Sequence, residues 1–221
     1  MLVRAVAIAW HLLTKQAENG TSHILPSGDQ TATHATLTAS LTQPHQVLHF
    51  TGHGAYNSLD PAQSCLFLEG SDRLTLGDIV PLDMSAYHLV CLAACETAVT
   101  GDQTITTEYV GLVSAFLKAQ VGCIVSTLWR VESAASAILV VQFYRELQQG
   151  QSPSLALKAA QTFLRTAIRT DLIQWLDWAI PQLPRSLSLI LESERELITM
   201  MTTEQPYSHP YYWAAFTLSG L

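Results

Sequence analysis

The sequence predicts an α/β fold with a largely parallel sheet, and three observations carry that expectation. Short apolar runs alternate along the chain with stretches of helical periodicity. Two of the runs stop abruptly at a reactive side chain set among small residues, Gly52-His53-Gly54 and Ala93-Ala94-Cys95, as strands do when they end at the carboxyl edge of a parallel sheet. The chain has 221 residues, 48% of them hydrophobic, enough for one full core and so for a single domain over 1–221.

Taken in order, residues 3–9 read as a first strand. The segment resembles a signal h-region loosely, but His11 and Lys15 interrupt it and no convincing cleavage site follows. Residues 31–41, rich in Thr and Ala, form a weak helix candidate, and 46–51 is the next strand. Ser64 to Leu76 reads as a small hairpin: Cys65-Leu66-Phe67-Leu68, a turn-rich Glu69-Gly70-Ser71-Asp72, then Arg73-Leu74. A strand over 88–92 follows. Val110, Val113, Phe116 and Leu117 stand at helical spacing, and 121–128 is another strand. Ala134, Ile138, Val141 and Tyr144 lie on one helical stripe, with Ser133 as its expected N-cap. Ser152-Pro153 opens a second such helix, carrying Leu155, Ala156, Ala159, Ala160, Phe163 and Leu164. Residues 170–208 stand apart, with Trp175, Trp178 and an amphipathic stretch at 186–201; they predict a helical insertion or lid. The final strand is expected at 212–218.

Composition removes several function classes. Charged residues are only 13% of the chain, against about a quarter in an average soluble domain, which leaves surface for a partner to cover. Eighteen acidic and eleven basic residues give a net charge of −7, with no Lys/Arg cluster, so nucleic acid is not an expected partner. No apolar run approaches the ~20 residues that span a membrane. Four cysteines, Cys65, Cys91, Cys95 and Cys123, are too few for a disulfide framework at this length, and a reducing cytoplasm is the expected compartment.

The chemistry concentrates on His53 and Cys95. A thiol becomes a nucleophile when a base stands beside it or its thiolate is stabilised, and His53 at a neighbouring strand end could do either. The flanking glycines allow a sharp turn. The backbone N–H groups of Gly54 and Cys95 are natural donors to an oxyanion. Zinc is the rival chemistry, through His49, His53, Cys91 and Cys95. Ligands four apart on a strand lie about 13 Å apart along its axis, too far to share one ion, so no metal and no cofactor is expected. His49 and Cys91 read as strand-interior residues, and Cys65 and Cys123 as buried thiols. Asp78, Glu96 and Glu108 could orient His53 or receive a basic substrate side chain; each could equally be a solvated or helix-end acid. Trp129, just past a strand, could wall a substrate groove or pack in the core.

These residues sit in a recognisable pattern. Val47-Leu48-His49-Phe50-Thr51-Gly52-His53-Gly54, Leu74-Thr75-Leu76-Gly77-Asp78-Ile79 and Leu89-Val90-Cys91-Leu92-Ala93-Ala94-Cys95-Glu96-Thr97-Ala98 resemble the CHAT domain. So do Gly111 to Ala119, Ser126-Thr127-Leu128-Trp129-Arg130-Val131 and Pro210-Tyr211-Tyr212-Trp213-Ala214-Ala215-Phe216. CHAT domains are caspase-like and often stand behind tetratricopeptide repeats in bacterial, including cyanobacterial, proteins. The likeness runs from about residue 30 onward in six ordered blocks. Caspases place their His about 50 residues before the Cys, and the spacing here is of that kind. The resemblance implies a three-layer caspase-like fold with a mostly parallel central sheet flanked by helices. It also puts His53 and Cys95 on the family's catalytic positions.

The expected function is therefore a cysteine endopeptidase acting on a protein or peptide through a His–Cys dyad, with the acidic candidates favouring a basic residue before the cut. The alternative is a catalytically silent CHAT module for interaction or signalling. An upstream repeat or sensor module is an expected partner; a membrane is not.

Overall fold

The computed structural model describes residues 32–50, 52–55, 57, 59–92, 106–129, 131–183 and 185–220. The expected strand at 3–9 lies outside them. The described chain forms two compact units. One runs to Trp129 and takes in Phe216–Gly220, and it holds every described strand; the other, Val131–Ala215, is helical.

In the first unit, helix α1 (His34–Leu41) begins at Thr33, whose hydroxyl accepts from the Thr36 N–H while Thr36 answers to the Thr33 backbone. This reciprocal cap offsets a weak Thr/Ala sequence. Strand β1 (Val47–Phe50) pairs in parallel with β5 (Leu89–Leu92), and β5 pairs in parallel with β6 (Cys123–Thr127). The last strand, β7 (Phe216–Gly220), joins β6 antiparallel, so the order is β1-β5-β6-β7. The sheet is thus mostly parallel, as the sequence predicts. A second, antiparallel sheet contains β2 (Gly54–Ala55), β3 (Cys65–Phe67) and β4 (Arg73–Thr75). Its β3–β4 part is the expected hairpin. The turn of helix α2 (Leu76–Ile79) follows β4 directly.

Helix α3 (Thr106–Lys118) brings Leu112, Ala115 and Phe116 against Val90, Leu92 and Ile124 of the sheet, where Leu37 and Leu41 of α1 join them. Leu66, Leu74 and Ile79 extend the same core beneath the hairpin. Leu89, Cys91, Cys123 and Val125, on the opposite face of β5 and β6, are buried as well. Burial on both faces is why parallel strands read as unbroken apolar runs.

The helical unit contains α4 (Ser133–Gln148), α5 (Pro153–Thr166), α6 (Arg169–Ala179), α7 (Arg185–Met200) and α8 (Pro210–Trp213). The cap of α4 is Glu132, one residue before the expected Ser133; its carboxylate accepts from the Ala134 and Ala135 amides. Residues Ala135 to Val141 are all buried, so α4 is covered around its circumference rather than along one stripe. The α4–α5 turn needs Gly150, whose φ of +85° is left-handed. Helices α6 and α7 account for most of 170–208.

A second boundary also differs from expectation. Residues 212–218 were expected to be strand, but Pro210–Trp213 forms a helical turn and the strand starts at Phe216. The His209 side chain accepts from the Tyr211 N–H and Pro210 stands at the first helical position, a start signal that overrides the aromatic run.

Candidate active site

Strand β1 alternates: Leu48 and Phe50 pack on the core, so His49 projects to the other face, in register with Cys91. The Nε2 of His49 is shielded from solvent, and burial lowers its pKa from 6.5 to about 4. The half-buried ring is neutral at pH 7, and Cys91 beside it is fully buried. Burial also pushes the Cys65 thiol up, against the opposing effects of Arg73 and the Ala55 backbone, and does the same to Cys123. These thiols are poor nucleophiles.

Past Phe50 the chain must turn from one sheet into the other. A Cβ at Gly52 would meet the Phe50 ring at 2.9 Å, and one at Gly54 would lie 3.2 Å from the Cys65 carbonyl oxygen. Both positions therefore require close approach, which explains the glycines on either side of His53. The carbonyl of His53 accepts from the Phe67 N–H at 2.8 Å, and Gly54 pairs with Leu66. In an antiparallel ladder this makes 54–66 a non-hydrogen-bonded pair. The Gly54 N–H therefore points away from β3 instead of into the ladder. The missing Cβ of Gly54 would face Leu66 and Leu112 in the core. By alternation His53 projects to the opposite side, and it is exposed.

The other expected site residues are distributed differently. Cys95 and Glu96 lie outside the described residues. Glu108 belongs to α3, and its side chain lies outside them too. Asp78 closes a capping box at the start of α2: its Oδ2 accepts from the Thr75 N–H at 2.9 Å and the Thr75 hydroxyl at 2.6 Å. His34 Nε2 lies 3.4 Å from the same oxygen. Burial raises the Asp78 pKa, but the Thr75 hydrogen bonds and His34 outweigh it and hold it below the usual carboxylate value. Trp129 is half-buried two residues beyond β6.

Sequence reasoning recognised the hairpin but not its role. Phe67 holds the His53 carbonyl, and β2 is too short at two residues to register as a strand. The glycines flanking His53 were the available signal.

A mostly parallel sheet whose first described strand runs into an exposed His-Gly turn, beside a strand that leads to a cysteine, is the frame of a caspase-like, cysteine-peptidase-related protein. The chain belongs to the CHAT domain family, whose model matches residues 9–221. No curated protein matches the sequence. Among the described residues, no helix is long and apolar enough to cross a membrane.

Proposed function

We propose that the protein is a cysteine endopeptidase in which His53 and Cys95 form the catalytic dyad. The pairing of β1 with β5 carries this reading. Val47 is opposite Leu89 and Phe50 opposite Leu92, a constant offset of 42 (89 − 47). His53 and Cys95 are separated by the same 42 (95 − 53). Each stands three positions beyond the last paired residue of its strand, so two register-matched strands lead equally far toward the base and the thiol.

In the proposed reaction His53 takes the Cys95 proton and the sulfur attacks the scissile carbonyl carbon. The oxyanion that forms is stabilised by the N–H groups of Gly54 and Cys95. His53 then protonates the departing amine as the C–N bond breaks, leaving a thioester. A water molecule gives its proton to His53, attacks the thioester, and releases the acid as the thiol is restored. Glu96 and Glu108 are the remaining acids for a basic residue before the cut, since the Asp78 carboxylate is held by the α2 cap. Cys95→Ala and His53→Ala should each lower peptide cleavage about a thousandfold or more. Cleavage that survives Cys95→Ala refutes the reading. A profile dominated by Asp before the cut refutes the basic preference.

A second reading, a silent CHAT interaction module, draws on α7. Leu189, Leu197 and Met200 are 48%, 55% and 78% exposed, and their spacing sets them on one side of the helix. On that reading Cys95→Ala leaves biological activity intact.

A further inference from the structure

His53 is the first member of a row that crosses the small sheet. Its carbonyl is bonded to the Phe67 amide, and Phe67 is in register with Arg73 on β4. Leu66 and Leu74, the alternate residues of β3 and β4, are buried in the core. Phe67 and Arg73 therefore stand on the face to which His53 projects. Arg73 is exposed and Phe67 half-buried. The guanidinium carbon lies 5.3 Å from the centre of the Phe67 ring, within stacking range. Among the described residues Arg73 takes part in no ion pair. Two nearby acids have other tasks: Asp72 accepts from the His34 N–H at 2.8 Å, and Asp78 caps α2.

We propose that Arg73, braced on Phe67, is a specificity-determining residue that binds an acidic side chain of the substrate. This rests on the endopeptidase reading for its position beside the scissile bond. A guanidinium steadied on an aromatic ring offers a fixed fork of donors that fits a carboxylate with two parallel hydrogen bonds. Two inter-strand spacings separate Arg73 from His53, about 10 Å across the sheet. An extended peptide covers that distance in about three residues. The acidic residue therefore stands two or three positions from the scissile bond, leaving the residue immediately before the cut to other groups.

The test uses fluorogenic peptide libraries that differ only in Glu, Gln or Lys at one position at a time, cut by the full chain. The native protein should favour Glu over Gln at a position two or three from the cut, roughly three- to tenfold in kcat/KM. Arg73→Gln should bring that ratio to about one, Arg73→Glu should invert it toward Lys, and Arg73→Lys should restore part of it. A merely structural role for Arg73 would lower the rates on all three peptides together and leave the ratio unchanged. A native enzyme indifferent to Glu, or a preference that survives Arg73→Gln, overturns the proposal. If neither the native chain nor Cys95→Ala cuts any peptide, the endopeptidase reading has failed on its own. The decision then passes to fluorescence anisotropy with the same labelled peptides and the Cys95→Ala chain. Tighter binding of the Glu peptide, abolished by adding Arg73→Gln, supports the acidic subsite; equal binding of Glu and Gln peptides refutes it.

Discussion

Acidification from about pH 7.5 to about pH 4 should remove about 3 kcal/mol of stability through the imidazole of His49 alone. The side chain projects from β1 on the face that carries Cys91, with Nε2 shielded from water. Burial holds its pKa at about 4, against 6.5 for the free side chain. Above pH 6.5 the ring is neutral in both folded and unfolded chains, and the fold has its full stability. As the pH falls below 6.5 the unfolded chain binds a proton that the folded one refuses, and stability declines until the pH reaches the folded value. At about 1.4 kcal/mol per pKa unit, the gap amounts to about 3 kcal/mol. His49→Gln isolates this contribution, because carboxylates titrate alike in both proteins. Urea unfolding at several pH values should show the native chain losing about 3 kcal/mol more than the variant between pH 7.5 and 4. The His49 Cε1 proton resonance should titrate near pH 4. Parallel stability curves, or a resonance that titrates near 6.5, would show that His49 is not held neutral by burial.

Other substitutions probe the scaffold. Gly54→Ala puts a Cβ 3.2 Å from the Cys65 carbonyl oxygen and against Leu66 and Leu112; it should cost about 1–2 kcal/mol in thermal or urea unfolding. The same change should lower kcat through the displaced Gly54 amide, and a variant with native stability and native kcat would contradict that geometry. Glu132→Ala removes both hydrogen bonds that cap α4 and should cost about 1–2 kcal/mol, measured by the same unfolding. It also removes a like charge beside Glu194. Burial raises the Glu194 pKa and the Tyr207 hydrogen bond lowers it, with Glu132 adding a further rise, so carboxylate NMR should show that pKa falling in the variant.

Much of the fold was legible because its strands are apolar runs bounded by turn residues. Residues 46–51, 88–92 and 121–128 contain β1, β5 and β6, and the hairpin fell within 64–76. What escaped was chemistry that periodicity does not carry. Glu132 caps α4 through a carboxylate, so Ser133 looked like the better start. Around residue 212 an aromatic run imitates a strand, while Pro210 and the His209 side chain start a helical turn. Of the two reactive residues, His53 was legible as an exposed turn, because its flanking glycines mark a strand end where the backbone must turn closely; Cys95 lies outside the described residues. Asp78 shows the limit of that reading: a carboxylate that could have served the site is held by a local cap at the start of α2. The row from His53 through Phe67 to Arg73 depends on a pairing between segments fourteen residues apart (67 − 53), and nothing in local composition specifies that register.

If β1 and β5 bring the His53 base to the Cys95 thiol, as proposed, the thiol's own reactivity reports it. The native chain should be treated with substoichiometric iodoacetamide at neutral pH, digested, and mapped by mass for alkylation at each of the four cysteines. Cys95 should react first, ahead of the buried Cys65, Cys91 and Cys123, and His53→Ala should slow Cys95 about tenfold or more by removing the base. A Cys95 that reacts no faster than the buried thiols, or at a rate indifferent to His53→Ala, would contradict it.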